Sequence, residues 1–290
     1  PRYGSTNCRK IVYVSGTGFK NTSNLYCRFG TLSAVHGVYI SSTNVSCVSP
    51  MHQIGTISVE VTTNGVDYSE DMVQYRYYAS PAISHIVPSS GPTEGGTVVS
   101  VYGRNFIDSD SLYCRFGNDS TVAGRWVSSD RVECQTPSMV ASNVVVEVTN
   151  NGFDYTANRV EFTVLPESVV TSVDPTFGPV GTSTSVTVHG SGFVFSRSLY
   201  CRFGLLSVAA MFVNDTMVVC SAPDAAQGSV DVRVSSNGVD YSKTSASYEY
   251  VDAHHVHDVL PRSGSTNGGT IVYVSGTGFK NTSNLYCRFG

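Results

Sequence analysis

The residues of this chain most able to do chemistry are its cysteines, and they recur at fixed distances. Cys27 and Cys47 stand 20 residues apart, Cys114 and Cys134 stand 20 apart, and Cys201 and Cys220 stand 19 apart. Such regularity predicts one disulfide within each of three repeats, and therefore an oxidising compartment. Two buried thiols per repeat is the bland alternative. A bridge closing a loop of this length contributes roughly 3 kcal/mol. Cys287 opens a fourth pair whose partner lies beyond the segment, and Cys8 fits no pair, so both are left unpaired here.

Five Asn-x-Ser/Thr sequons, at Asn21, Asn44, Asn118, Asn214 and Asn281, point the same way. Most adjoin turn-like sequence, where a covalent N-glycan fits. With the cysteines they predict an extracellular or cell-surface glycoprotein. No secretory leader opens the segment and no apolar run approaches 18 residues, so it reads as an internal piece that does not itself enter a membrane.

Other candidate sites carry less. In Asp252-Ala-His-His-Val-His-Asp258, His255 and His257 share a strand face and are weak metal candidates, but a polar domain junction is the better reading, with no metal. Asp108 and Asp110 read as a solvated loop rather than a calcium site. No nucleophile–base pair, nucleophile elbow or phosphate-cradling loop is present, so the sequence is read as non-enzymatic and without cofactor. A formal charge of −4 without Lys/Arg runs argues against nucleic acid as a partner.

These residues are positioned by two nested repeats. Residues 261–290 match residues 1–30 at 26 of 30 positions, and Leu-Tyr-Cys-Arg-Phe-Gly occurs four times, starting at Leu25, Leu112, Leu199 and Leu285. Pro1, Pro88, Pro175 and Pro261 are spaced by 87, 87 and 86 residues, one small domain per repeat. The second repeat reads as seven short strands at 83–87, 97–102, 112–116, 122–127, 131–135, 144–149 and 160–164. Leu112, Cys114 and Phe116 alternate with Tyr113 and Arg115, the period of a half-buried strand. Asn151-Gly152, like Asn64-Gly65 and Asn237-Gly238, predicts a tight hairpin, and the Asp-Tyr that follows reads as turn capping and packing. Tyr39, Trp126 and Phe212 occupy equivalent places before the second cysteine and are expected to fill the core beside the bridge. The fold class is all-β: two-sheet sandwiches over residues 1–79 (lacking a first strand), 80–165 and 166–251, and the start of a fourth over 252–290.

Pro88, Gly91-Pro92, Gly95-Gly96-Thr97, Gly103, Phe106, Cys114-Arg-Phe-Gly117, Cys134-Gln-Thr-Pro137 and Asn151-Gly152 together resemble the IPT/TIG domain, the immunoglobulin-like fold of plexins and Rel-type transcription factors. The resemblance covers all three repeats and the start of the fourth. It implies tandem immunoglobulin-like sandwiches of the extracellular kind, since the basic loops of DNA-binding members are absent. Cys8-Arg9-Lys10 departs from the pattern where the later copy has Gly268-Gly269-Thr270, and Val180-Gly-Thr-Ser-Thr184 loosens it in the third repeat.

The near-identity of segments 260 residues apart supports a structural reading. A repeating rod presents equivalent surfaces that self-associate into a filament or surface fibre. The alternatives are a receptor or adhesin ectodomain in which the repeats act as spacers, and a glycan-binding module using Tyr26, Tyr113 and Tyr200. Organism, repeat number and partner are not legible.

Overall fold

A computed structural model describes residues 3–5, 10–118, 120–281 and 285–290; Cys8 lies outside them. Every regular element among these residues is a strand. Backbone contacts group the chain into two compact bodies, residues 1–90 with 94–164, and residues 91–93 with 165–290.

The second sandwich shows how each repeat is built. Its strands are Ala82–Val87, Ser90–Pro92, Val98–Arg104, Tyr113–Phe116, Ser120–Ser128, Arg131–Gln135, Ser142–Thr149 and Val160–Leu165. One sheet contains Ala82–Val87, Val98–Arg104 and Arg131–Gln135. The other contains Tyr113–Phe116, Ser142–Thr149, Val160–Leu165 and Ser90–Pro92. The Ser120–Ser128 strand serves both, because residues 120–123 pair with Tyr113–Phe116 and residues 124–128 pair with Arg131–Gln135. Gly124 stands at the crossing, where a Cβ would press on Leu112 and Val132. The third repeat repeats this order throughout, with Ala210 at the crossing.

Alternation decides what faces inward. Val99, Val101, Cys114, Val132, Val146 and Phe162 are all fully buried, while their strand neighbours face out. Cys114 and Cys134 lie on opposite sheets and are bonded across the core, with Cα atoms 6.3 Å apart; Cys27–Cys47 and Cys201–Cys220 do the same. That separation is within the normal disulfide range.

Three features differ from the sequence-based expectations. Trp126 is not a core residue: it is 39% exposed, and its indole N–H donates to the Phe106 carbonyl at the sandwich rim. Phe106 takes the interior place, and the ring pair at the centre is Phe116 edge-on to Phe162, matched by Phe29–Tyr75 and Phe203–Tyr248. Tyr39 and Phe212, the counterparts of Trp126, do pack, partly buried, against their own cores, so the expectation fails at Trp126 alone, and the last strand adds a second change of size between repeats. Second, the Pro-Gly stretch contains the short strand Ser90–Pro92, preceded by a cis peptide bond at Val87-Pro88. Third, the Asn-Gly turn is not a two-residue hairpin. Thr149 bridges Tyr155, and the chain runs on to Val160 before the ladder resumes.

In the first sandwich Tyr3–Ser5 pairs in parallel with Val73–Tyr78, and among the described residues no strand flanks Ile11–Ser15 as Ala82–Val87 flanks Val98–Arg104. In the fourth repeat His255–Leu260 pairs with Tyr273–Thr277. The glycine of that strand is obligatory in form: a Cβ at Gly103, Gly190 or Gly276 would collide with the carbonyl oxygen of Ala82, Val169 or His255.

Candidate interaction surface

The arginine of the repeated hexapeptide is the first candidate. It points away from the core, and cross-strand register places Arg28 opposite Glu60 and Arg115 opposite Glu147. Each Arg Nε donates to the Glu Oε2 at 2.9 Å. Each guanidinium also stacks on the tyrosine after the Asn-Gly turn, at 4.1 Å on Tyr68 and 3.9 Å on Tyr155. Arg202 stacks on Tyr241 at 4.0 Å, but Arg233 stands opposite it, and the buried Nε of Arg202 has no hydrogen-bond partner. Arg233 instead donates to the carbonyls of Ser242 and Lys243. These tyrosines anchor the returning loop.

The aspartate of each Asn-Gly-x-Asp loop is likewise committed to structure. Asn64 Oδ1 accepts from the amides of Val66 and Asp67, and its Nδ2 donates to the Asp67 carboxylate at 2.8 Å. The same closed ring forms at Asn151–Asp154 and Asn237–Asp240, with Gly152 and Gly238 in the left-handed region that glycine tolerates. Tyr113 and Tyr200 are half-buried beside the Gly152 and Gly238 turns, and Tyr26 is half-buried with its ring edge-on to His36.

Among the described residues, no group of three or more His, Cys, Asp or Glu is placed to hold a metal ion. A bulge between Val256 and Asp258 takes His257 out of the ladder, so His255 and His257 do not follow the simple alternation of a regular strand. His254 instead sets its ring edge-on to Phe279 at 6.4 Å. Ion pairs join neighbouring sandwiches within each body. Lys10 Nζ reaches Asp154 Oδ1 at 2.6 Å, and Lys280 Nζ contacts Glu249 and lies 4.7 Å from the Phe177 ring centre. Lys10 stands where the later copy has Thr270, so one of the four substitutions between the copies makes a domain junction.

The outer faces of the sheets that carry the second cysteine of each pair, Cys47, Cys134 and Cys220, differ most. On the first sandwich Ile11, Tyr13, Val38, Ile40 and Val48 are 43 to 62% exposed. At equivalent positions the second carries Val98, Ser100, Arg125, Val127 and Gln135. Glu133 there takes both Arg125 and Arg131, and these hydrogen bonds hold its carboxyl below the usual range. Tyr102 stacks flat on His85 at 4.7 Å beside Arg131. The third face exposes Met211 and Val213. Sequence patterning that looks for buried residues passes over this contrast.

The sequon asparagines are distributed around these faces. Asn21, Asn118, Asn214 and Asn281 are exposed; Asn44 is half-buried on the outer side of the Asn44–Val48 strand. Cys287 is exposed and unbonded.

The IPT/TIG domain model matches residues 1–77, 81–164, 168–250 and 255–290. The chain is 24% identical to human Fibrocystin-L over 288 residues, covering 96% of this chain and 7% of that protein. It is 28% identical to Plexin-2 of Caenorhabditis briggsae over 214 residues, 69% of this chain and 12% of that one. Among solved structures, the extracellular region of Plexin A4, domains 1 to 10, aligns with a TM-score of 0.41 and 14% identity over 95% of this chain and 30% of that structure. The chain thus spans a small fraction of these relatives' length.

Proposed function

Since this chain belongs to the IPT/TIG domain family, with four successive matches along it, we propose that it is a spacer and recognition segment of a cell-surface receptor ectodomain. The chain is extracellular or at the cell surface, as its three disulfides and its relatives indicate. The observation that carries the receptor reading is the run of sandwiches that each enclose their own core and bridge while their outer faces differ. A scaffold whose disulfide and hexapeptide row recur while its exteriors vary can space a receptor head and still display distinct surfaces. No helix among the described residues is long and apolar enough to cross a membrane.

The filament reading draws on one observation, the 26-of-30 match between residues 1–30 and 261–290. Serial duplication of a spacer accounts for that match equally, and the relatives favour the receptor. Labelling intact cells that express the full-length gene product tests this. Surface-labelled protein retained in the membrane fraction is expected; quantitative release as periodic fibres would overturn it in favour of the filament.

A further inference from the structure

The geometry points to an N-glycan on Asn44 that lies over the outer face of the first sandwich, covering Ile11, Tyr13, Val38, Ile40 and Val48. The inference rests on the extracellular reading and deepens it, because it assigns one glycan a structural task. Such a face is a liability as it stands: Ile11, Tyr13, Val38 and Val48 stand exposed on one sheet surface, with Ile40 exposed in the bulge at its end. Contiguous exposed apolar area invites association.

Asn44 belongs to that face. In the Asn44–Val48 strand Val45 and Cys47 point into the core, so Asn44, Ser46 and Val48 point out. Register sets Ser15 opposite Asn44, Tyr13 opposite Ser46, and Ile11 opposite Val48, while Val38 flanks Ser46 from the other side. Tyr13 and Val38 are therefore diagonal neighbours of the attachment point, two residues along and one strand across, about 7 to 8 Å away. The Ser15 hydroxyl donates to Asn44 Oδ1 at 3.0 Å and fixes the carboxamide on this surface. Nδ2 donates to Thr43 Oγ1 at 3.1 Å and, at the longer distance of 3.5 Å, to Ser41 Oγ; a glycan bond replaces one of these hydrogens and leaves the other to donate. A saccharide leaving Nδ2 has its apolar C–H faces available to the Tyr13 ring and the aliphatic groups, and their burial from water is favourable.

Comparison of the repeats supports the pairing of sequon and apolar face independently. The second sandwich has Arg131 in place of Asn44 and Arg125 in place of Val38, and its face is closed by ion pairs to Glu133. Its own sequon, Asn118, sits in the turn between Tyr113–Phe116 and Ser120–Ser128, off that face. The third sandwich again couples the two features, with Met211 and Val213 exposed on the strand that ends at the sequon residue Asn214.

The test is secretion of the full 290-residue chain from eukaryotic cells, with site occupancy read by glycopeptide mass spectrometry. Binding of an apolar fluorescent dye and self-association are then compared for the native protein, the Ser46→Ala variant, and native protein trimmed to one sugar by an endoglycosidase. Ser46→Ala removes the acceptor site but keeps Asn44 and its Ser15 contact, and trimming acts on already folded protein. Asn44 is expected to be occupied, and both treatments are expected to raise dye binding several-fold and promote association. Adding Val38→Ser and Ile40→Ser should abolish that response. An unmodified Asn44 beside glycosylated Asn21 or Asn118 overturns this inference alone, whereas bare sequons throughout a secreted chain overturn the glycoprotein reading as well. An occupied Asn44 whose loss leaves dye binding and association unchanged also overturns it.

Discussion

The first and second sandwiches share a register offset of 87 residues, so that Tyr26 faces Thr62 as Tyr113 faces Thr149, and both place an Arg–Glu–Tyr cluster and a disulfide at the same points. Their exteriors and their last strands diverge. Tyr75 and Tyr77 in the first become Phe162 and Val164 in the second, and an apolar outer face becomes a charged one. The difference shows which positions hold the sandwich together and which are left to surface chemistry.

The shared interior is the place for the largest effect. Phe116→Ala removes the ring that packs on Phe162 and should cost about 3 to 5 kcal/mol, seen in calorimetry as one of several transitions moving down while the others hold. Replacing Cys114 and Cys134 together by alanine should cost about 3 kcal/mol, so that the doubly substituted second sandwich melts first. Should either change shift all sandwiches equally, they are not independent units.

The divergent last strands give a pH contrast. Burial pushes the Tyr77 hydroxyl up to about 12 and raises Tyr75, and it also pushes Tyr250 up to about 12. A group whose folded value is raised keeps its proton longer in the folded state. Its contribution is complete below the unfolded value near 10 and is lost as pH rises toward about 12. The first and third sandwiches should therefore lose stability across that window while the second, with Phe162 and Val164, holds; tyrosinate absorbance followed with melting temperature checks this.

The arginine cluster offers a smaller test. Glu147→Arg gives the second sandwich the like-charged pair of the third and leaves Arg115 Nε without its acceptor. About 1 to 3 kcal/mol should be lost, measured by denaturant midpoint. Smallest is Glu133→Gln on the charged face, where solvent around the two arginines screens the pairs and only a slight shift in denaturant midpoint is expected. Its carboxyl is held low by Arg131 and Arg125, so its contribution is present above the ordinary carboxylate range and disappears as pH falls through the depressed value; the variant should lack this acid dependence.

Much of the scaffold was legible because it is repeated and strictly alternating. Leu112, Cys114 and Phe116 announce an inward-facing row, and all three are buried. The short strand Ser90–Pro92 was not legible, since glycine and proline signal turns, yet it joins the last strand at the sheet edge, as its counterpart Phe177–Pro179 does in parallel with Ala246–Val251. Trp126 misled because a large ring near a cysteine suggests a core, whereas its indole N–H finds an acceptor in the Phe106 carbonyl at the rim; the equivalent Tyr39 and Phe212 do pack on their cores. The apolar face of the first sandwich escaped notice for a related reason. Tyr13 and Val38 are far apart in sequence and meet on one surface only through the intervening Asn44–Val48 strand.

The most direct test of the account is a non-reducing peptide map of the chain secreted from eukaryotic cells. Linked peptides joining Cys27 to Cys47, Cys114 to Cys134 and Cys201 to Cys220, with glycan-bearing sequon peptides, are the expected result. Free thiols at those six cysteines in a natively folded, unglycosylated product would contradict it.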